Sequence, residues 1–559
     1  MKHSIKLIII LFLIVSTSVM FAQEQADNYS KLYKSLPFKM EVIKAPKFPN
    51  RDFNIKKYNA VGDGLTLNTS AFNKAIEECS RGGGGRVIVP AGIWLTGPIF
   101  FKDNVNLYLE QGALIQFTNN YDDYPLIEGF WEGYTQFRCT SPIMGKNLKN
   151  IAITGKGTID GAGQYWRPVK KSKLTESEWK NLVKSGGAVD KEGETWWPSK
   201  EAMEALEVLP AVMAKKELLT KEKAEKYKLF FRPVLLSFVN CRNVLLDGVT
   251  FQNSPAWNLH PLFCENLIIT NLMVRNPWYA QNGDGIDIES CKNTLLYNCK
   301  FDVGDDGICI KSGRDKEGRQ IGKPTENLIV SSCIVYHGHG GFTVGSEMSG
   351  GVRNVKVDNC NFNGTDVGLR FKSQRGRGGI VENIWISNIY MKDIPAEAIS
   401  FNLFYSGVSA LEEKSADGKA KIEKTYPVTE ETPIFRNIYM DNIICSRARD
   451  AVVLRGLPEM PLENINLKNI SISSQKGISI SDAEKINITN AKILTSDPAI
   501  KIKQGSNITI SNFTVDEKNK TVLSIEGEGS NKIIFIGGSK YSNKIKLSDE
   551  VAKDALKFE

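Results

Sequence analysis

One phrase recurs along most of the chain with little more than its polar letters changed: CRNVLLDGVTF, CENLIITNLMV, CKNTLLYNCKF, TENLIVSSCIV, VRNVKVDNCNF, VENIWISNIYM, FRNIYMDNIIC, LENINLKNISI and GSNITISNFTV. Its asparagines include Asn243, Asn266, Asn293, Asn327, Asn354 and Asn383, spaced by 23, 27, 34, 27 and 29 residues. Repeats of this length specify a solenoid or an array, because one unit cannot bury its apolar face without a neighbour. Within each phrase apolar and polar residues alternate and β-branched residues abound, which predicts short strands and not helices. One unit per turn makes a parallel β-helix. A β-propeller is the main rival, but its blades need about 40 residues or more, longer than most of these intervals. An asparagine at the same point of every turn suits side-chain amides that bond from coil to coil.

The ends and interruptions of the repeat set the domain plan. Residues 1–22 carry Lys2 and Lys6, an apolar run from Ile5 to Met20 and a small residue, Ala22, the pattern of a cleaved export signal. Export to the periplasm or outside the cell follows as an expectation. No second apolar run reaches spanning length, so no membrane span is expected. Residues 23–49 read as a linker, 50–545 as the solenoid and 546–559 as a tail. In LNTSAFNKAIEECSRGGGG, Thr69 or Ser70 reads as an N-cap, and Ala71, Phe72, Ala75, Ile76 and Cys79 follow at helical spacing. Such a helix would cover the open end of the solenoid. The coils NVNLYLEQGALIQF and LKNIAITGKGTIDG look like the first full ones. Residues 165–232, rich in Lys and Glu, read as a helical insertion, and 405–433 as a polar loop.

A net charge of +8, or +6 once Lys2 and Lys6 leave with the signal, suits an acidic ligand. With no basic run, nucleic acid is not an expected partner. The ten cysteines include no CxxC pair and no zinc-ligand spacing, and most fall in apolar strand patterns. They read as buried thiols, with a disulfide between stacked positions as the alternative.

A second phrase in each coil aligns by its strand: DGIDIES from Asp284, DGICIKS from Asp306, GGFTVGS from Gly340 and VGLRFKS from Val367. This register makes Asp284 and Asp306 equivalent positions on successive coils, sets His339 one coil beyond Asp305, and brings Arg370 and Lys372 to the same face. Lys311 falls at the Lys372 position of an earlier coil. Parallel strands lie about 4.8 Å apart, so the three carboxylates would be near neighbours and could not all ionise cheaply. At least one should be pushed upward, giving a protonated acid beside ionised bases. Arg370 should stand about 10 Å from Asp306, a gap its side chain and a substrate together would span. Asp-Gly turn chemistry explains single aspartates such as Asp450, but not three with a histidine. Trp257 and His260, in SPAWNLHP, sit at a coil corner where they would line a sugar subsite; Trp257 also fits a plain core role. His337 reads as a turn residue.

NGDGID, GDDG, GHGG and RFK, in this order on matched coils, resemble the four signature motifs of the polygalacturonases, family 28 of the glycoside hydrolases. The chain departs from that pattern at Gly283, usually Thr, and at Phe371, usually Ile. The resemblance implies an all-β, single-stranded, right-handed parallel β-helix of the pectin lyase-like kind, with an N-terminal capping helix and a helical insertion. It implies that Asp305 protonates the glycosidic oxygen while Asp284 and Asp306 activate water on the opposite face, inverting the anomeric centre. It implies that His339 supports the protonation state of Asp305. Arg370 and Lys372 would bind a uronate carboxylate, with Asn282 and Tyr405 as further substrate contacts. The implied partner is pectin, an acidic plant cell-wall polysaccharide, cut at α-1,4-galacturonosyl bonds by a monomeric enzyme with no cofactor or metal. The two insertions would wall off one end of the groove, which favours exo action over endo. A rhamnogalacturonan backbone, a calcium-dependent lyase on the same kind of solenoid, and a non-catalytic polysaccharide-binding solenoid are the alternatives.

Overall fold

Alternation along each repeat unit produces three short strands separated by corners, and the strands stack in parallel on the same strands of the next coil. One coil runs through Leu259–Leu262, Glu265–Thr270 and Met273–Arg275, and the next through Ile286–Glu289, Lys292–Tyr297 and Lys300–Asp302. Each strand pairs in parallel with its counterpart, as in Leu267↔Thr294 and Val274↔Phe301. The computed structural model describes residues 30–34, 36–214, 219–405 and 425–559, and joins the coils into one 32-stranded sheet. This is a parallel β-helix, and its coil-to-coil parallel pairing rules out the propeller.

Five successive strands of one face carry the chemistry: β1 (Leu259–Leu262), β2 (Ile286–Glu289), β3 (Ile308–Lys311), β4 (Gly338–Val344) and β5 (Thr365–Lys372). Side chains alternate between the two sides of a strand. Ile288, Ile310, Val344 and Phe371 therefore stack inward in register, and Phe371 lies flat on Phe401 of the following coil at 4.3 Å between ring centroids. Asp287, Cys309, Thr343 and Arg370 form the adjacent outward row. Burial of each such interior side chain contributes about 1.5–3 kcal/mol, which locks the register and with it every outward position.

The expected asparagine ladder is present. Asn243, Asn266, Asn293, Asn327 and Asn354 each donate through Nδ2 to Oδ1 of the asparagine one coil earlier, at 2.9–3.2 Å. All five hold left-handed backbone, with φ of 55–60°, a region asparagine tolerates far better than branched residues. All ten cysteines are buried free thiols, so the disulfide alternative fails; Cys241 and Cys264 stack with a backbone N–H of one directed at the sulfur of the other.

The cap helix spans Thr69–Arg81 and buries the five expected residues. Its N-cap is Asn68, not Thr69 or Ser70, and the Asn68 amide bonds the preceding loop at Val61 and Thr66 instead of the helix. The solenoid also starts a coil earlier than expected, since Gly85–Val89 and Gly92–Thr96 pair with the strands of NVNLYLEQGALIQF. Residues 546–559 are no simple tail: Leu556–Phe558 pairs with Asn531–Ile536. Part of the expected linker packs on the solenoid flank, where Tyr33 and Ile43 cover Ile268, Leu295 and Ile329. Residues 1–22, and 406–424 of the polar loop, lie outside the described residues.

The 165–232 insertion carries the helices Glu176–Lys184, Lys200–Ala214 and Lys221–Lys226, together with a small antiparallel sheet that the Lys- and Glu-rich composition hid. A hairpin that sequence reading missed, Leu126–Trp131 with Tyr134–Cys139, folds against it: Tyr124, Leu126 and Cys139 share a buried cluster with Trp166, Leu209 and Phe231. Among the described residues no helix is long and apolar enough to cross a membrane.

Candidate active site

The aspartates sit where β2 and β3 begin. Register places Ile286 opposite Ile308, so Asp284 and Asp306, two residues ahead, fall opposite each other, and the Gly285 N–H donates to the Asp306 carbonyl at 2.9 Å. On the next coil the His339 N–H donates to the Asp305 carbonyl, also at 2.9 Å. The neighbours read from the sequence are therefore the neighbours in space. Carboxylate oxygens of Asp284, Asp305 and Asp306 lie within 4.8 Å of one another.

Their surroundings differ sharply. Asp306 is buried, and its carboxylate accepts from Thr343 Oγ1 at 3.0 Å, Arg370 Nη1 at 3.1 Å and Lys372 Nζ at 2.9 Å. Burial by itself would raise Asp306, but Lys372 and Arg370 outweigh it and hold the carboxyl well below the ordinary carboxylate range. Direct pairing corrects the expectation of a 10 Å gap filled by substrate: both cations reach back across the coils to Asp306. Asp284 is also buried but has no cation among the described residues at hydrogen-bond distance, only the weaker pull of Lys311. Burial pushes it well above the ordinary range, and a neighbouring carboxyl of Asp287, Asp305 or Asp306 adds to the shift when it is ionised, so an upward shift falls on Asp284.

Asp305 is partly exposed and approaches His339 Nδ1 at 3.1 Å. The bond to Asp305 raises the His339 imidazole above its ordinary value, against the opposing effect of burial, while its Nε2 stands 3.7 Å from Asp366. Asp284, Asp305 and Asp306 open into a cleft of about 290 Å³ that is also lined by Asn282, Trp257, Lys311, Lys372 and Tyr405. Tyr405 is 44% exposed, and its ring centre lies 4.9 Å from Lys372 Nζ, well placed for a cation–π contact. The Asn282 amide oxygen accepts from Arg232, the last residue of the insertion.

Three candidates are less available than the sequence suggested. Trp257 lines the cleft but is only 2% exposed, stacked on Trp131 of the hairpin at 4.2 Å. Lys311 directs its ammonium to Glu347 at 2.7 Å and stands 3.7 Å from Asp287, so it is paired and not an open basic contact. His260 does not line the catalytic cleft. It is buried, bonded to Glu289 at 2.8 Å, and faces a separate cavity beneath the hairpin. His337 pairs with Asp302 away from the cleft.

Sequence reading missed Asp287, Glu347, Glu132, Arg314 and Arg377. Asp287 was legible as the outward position of DGIDIES, and Glu347 follows the strand of GGFTVGS directly. Lys311 holds Glu347 down at about 2 despite burial. Glu132 comes from the hairpin and pairs with Arg314 at 3.2 Å, a contact across 182 residues that no local signal announces.

The three clustered carboxylates are spaced closely enough to hold a cation, but the donor set does not fit one: the Asp306 oxygens are already taken by Arg370, Lys372 and Thr343.

Comparison with known proteins agrees with the motif reading. Residues 169–477 match the model of the glycosyl hydrolases family 28. The chain is 30% identical to a hyperthermoactive exopolygalacturonase from Thermotoga maritima, whose crystal structure superposes with a TM-score of 0.61 over 85% of this chain and 94% of that one. It is 28% identical to an exo-poly-alpha-D-galacturonosidase of Dickeya chrysanthemi, over 83% of this chain and 74% of the relative. It is 26% identical to an endo-polygalacturonase of Pectobacterium parmentieri, over 77% and 89%. A β-helix that sets three aspartates in a cleft, with His339 paired to Asp305 and Arg370 and Lys372 paired to Asp306, together with these relatives places the chain in glycoside hydrolase family 28, as a hydrolase of the polygalacturonase type.

Proposed function

We propose that the protein is an exported, exo-acting polygalacturonase that hydrolyses α-1,4-galacturonosyl bonds of pectin with Asp305 as general acid and Asp284 and Asp306 as the water-activating side. The observation that carries this reading is the divided electrostatics of the cluster. Asp306 is held ionised by two cations, while Asp305 is exposed to the cleft and bonded to His339. A proton donor with access to substrate stands beside a carboxylate that cannot take the proton back. Arg370 and Lys372 stay close enough to the cleft for a uronate carboxylate to share them with Asp306.

Exo action is supported by segments outside the coils that enter the cleft. Glu132 of the hairpin lines it and pairs with Arg314, and the end of the insertion contacts Asn282 through Arg232. Chromatography of products from polygalacturonate tests it: galacturonate monomer from the outset is expected, and a ladder of oligomers sinks the exo reading. The same assay on rhamnogalacturonan tests the alternative backbone.

Inversion follows from the family likeness and not from spacing, since inverting carboxyl pairs usually stand about 6.5–9.5 Å apart. NMR of the first-formed anomer decides it, with the inverted anomer expected. A lyase would form an ultraviolet-absorbing unsaturated product and stop with chelator; neither is expected here. Export rests on the basic and apolar start of the chain, and cell fractionation tests it by finding the protein outside the cytoplasm.

A further inference from the structure

Most buried carboxylates around the cleft have a donor or cation at hydrogen-bond distance. Asp306 has Thr343, Arg370 and Lys372; Glu347 has Lys311 at 2.7 Å and Ser346 at 2.8 Å; Glu289 has His260 at 2.8 Å and the Gly313 N–H at 3.1 Å. Three oxygens stand apart. Oδ1 of Asp284 and both oxygens of Asp287 are shut off from solvent and have no hydrogen-bond partner. Buried polar atoms left in this state are rare and call for an explanation.

Asp287 is completely buried on β2, opposite Cys309 of β3. The charged groups that face it are Glu289 on its own strand, Lys311 and Asp306 on the neighbouring coil, Asp305 at the corner, and Asp284 three residues back. His260, on the preceding coil, is turned to Glu289. Lys311 is the nearby cation, at 3.7 Å, and it bonds Glu347 instead. The Cys309 thiol is directed at Gly345 O and Asp306. Lys311 thus attracts Asp287 without bonding it, and no donor among the described residues reaches hydrogen-bond distance of Asp287 or of Oδ1 of Asp284. Atoms of Asp284, Asp287 and Cys309 lie within 4.8 Å of one another, and the terminal torsion of a carboxyl is broad enough to reorient its oxygens.

We propose that Asp287 is a positioning residue for the hydrolysis: as a neutral carboxylic acid it donates its O–H to the buried Oδ1 of Asp284, leaving the other Asp284 oxygen charged toward the cleft. One proton then satisfies Oδ1 of Asp284 and one oxygen of Asp287, while Lys311 stands 3.7 Å from Asp287 without a hydrogen bond to it. A hydrogen bond to the charged form favours that form, so Asp287 offsets the burial that otherwise neutralises Asp284. Burial pushes Asp287 well above the ordinary carboxylate range against the pull of Lys311, as a resident proton requires. This inference rests on the reading of Asp284 as part of the water-activating side.

The test is the pH profile of kcat/KM on polygalacturonate for the parent, Asp287→Ala and Asp287→Asn. Asp287→Ala removes the donor, so the acid limb should move up by about one pH unit. Asp287→Asn supplies an amide donor and should return the limb toward the parent position. Downward movement in both variants means that Asp287 is ionised in the parent and overturns the proposal, as does loss of activity with no movement in either. Thermal stability of Asp287→Asn gives a readout independent of turnover. A folded-state carboxyl that is raised loses stability as pH rises between the unfolded and folded values. The Tm of Asp287→Asn relative to the parent should therefore increase as pH rises above the ordinary carboxylate range, about pH 4; a relative Tm that falls as pH rises there overturns the proposal. Asp284→Asn separates the two readings: if it retains turnover while the Tm trend holds, the base assignment fails and the proton on Asp287 stands.

Discussion

Two faces of the same coils use opposite chemistry. At the ladder corner, each asparagine meets an asparagine, and Asn293 both donates to Asn266 and accepts from Asn327. On the catalytic face the equivalent positions change identity from coil to coil, so Asp287, Cys309, Thr343 and Arg370 succeed one another in one row. An amide is self-complementary, and its repetition stabilises the stack. A carboxylate is not, and its repetition at Asp284 and Asp306 creates a charge problem that cations solve on one coil and not on the other. The repeat is structural wherever like meets like, and functional where the repetition becomes electrostatically unfavourable.

The largest break in this comparison is at Asp305. Replacing it with Asn should lower kcat by about 10²–10⁴-fold, as loss of a general acid does, while Tm stays close to the parent; retained turnover would refute the acid assignment. Next comes Lys372→Met, which makes the Asp306 coil resemble the cation-poor Asp284 coil. Removing a partner from a buried pair costs about 3–5 kcal/mol, moderated here because Arg370 remains. Since Asp306 is depressed in the folded parent, its stabilisation is present above the unfolded value and is lost only when pH falls through the depressed one. In the variant that loss should come at higher pH, read as a Tm that falls earlier on acidification.

Asn293→Ala attacks the ladder instead. It removes two amide bonds and forces alanine into left-handed backbone, a loss of about 2 kcal/mol by denaturant unfolding, with kcat/KM unchanged. A change in kcat/KM there would show that ladder and site are coupled. The smallest effect is expected at His339. Its imidazolium, raised by Asp305, persists to higher pH than a free histidine and is lost as pH rises through the raised value. His339→Gln should lower kcat/KM by about tenfold and remove that contribution from the alkaline limb of the rate profile.

Much of this was legible in the residues because a β-helix turns sequence spacing into spatial neighbourhood. Aligning DGIDIES with DGICIKS was enough to set Asp284 against Asp306, and aligning GHGG with GDDG set His339 against Asp305. The Asn68 cap was missed for a local reason: its side chain serves the loop before the helix, which cap preference does not anticipate. The hairpin at 126–139 was missed for a long-range one, since its pairing is local but its purpose, carrying Glu132 to Arg314, depends on where the solenoid later brings the Asp315–Ile321 helix.

The solenoid, the register and the gathering of carboxylates follow from the residues alone, because period-2 burial and the recurring strand phrases leave one way to stack the strands even where coil length varies. Only the tertiary structure decided which carboxylate is charged. Arg370 and Lys372 reach Asp306 across two coils, Lys311 bonds Glu347, and Asp287 is left buried without a hydrogen-bond partner. Those outcomes depend on side-chain direction and burial, and electrostatic energy varies with distance and dielectric in ways that strand spacing does not encode.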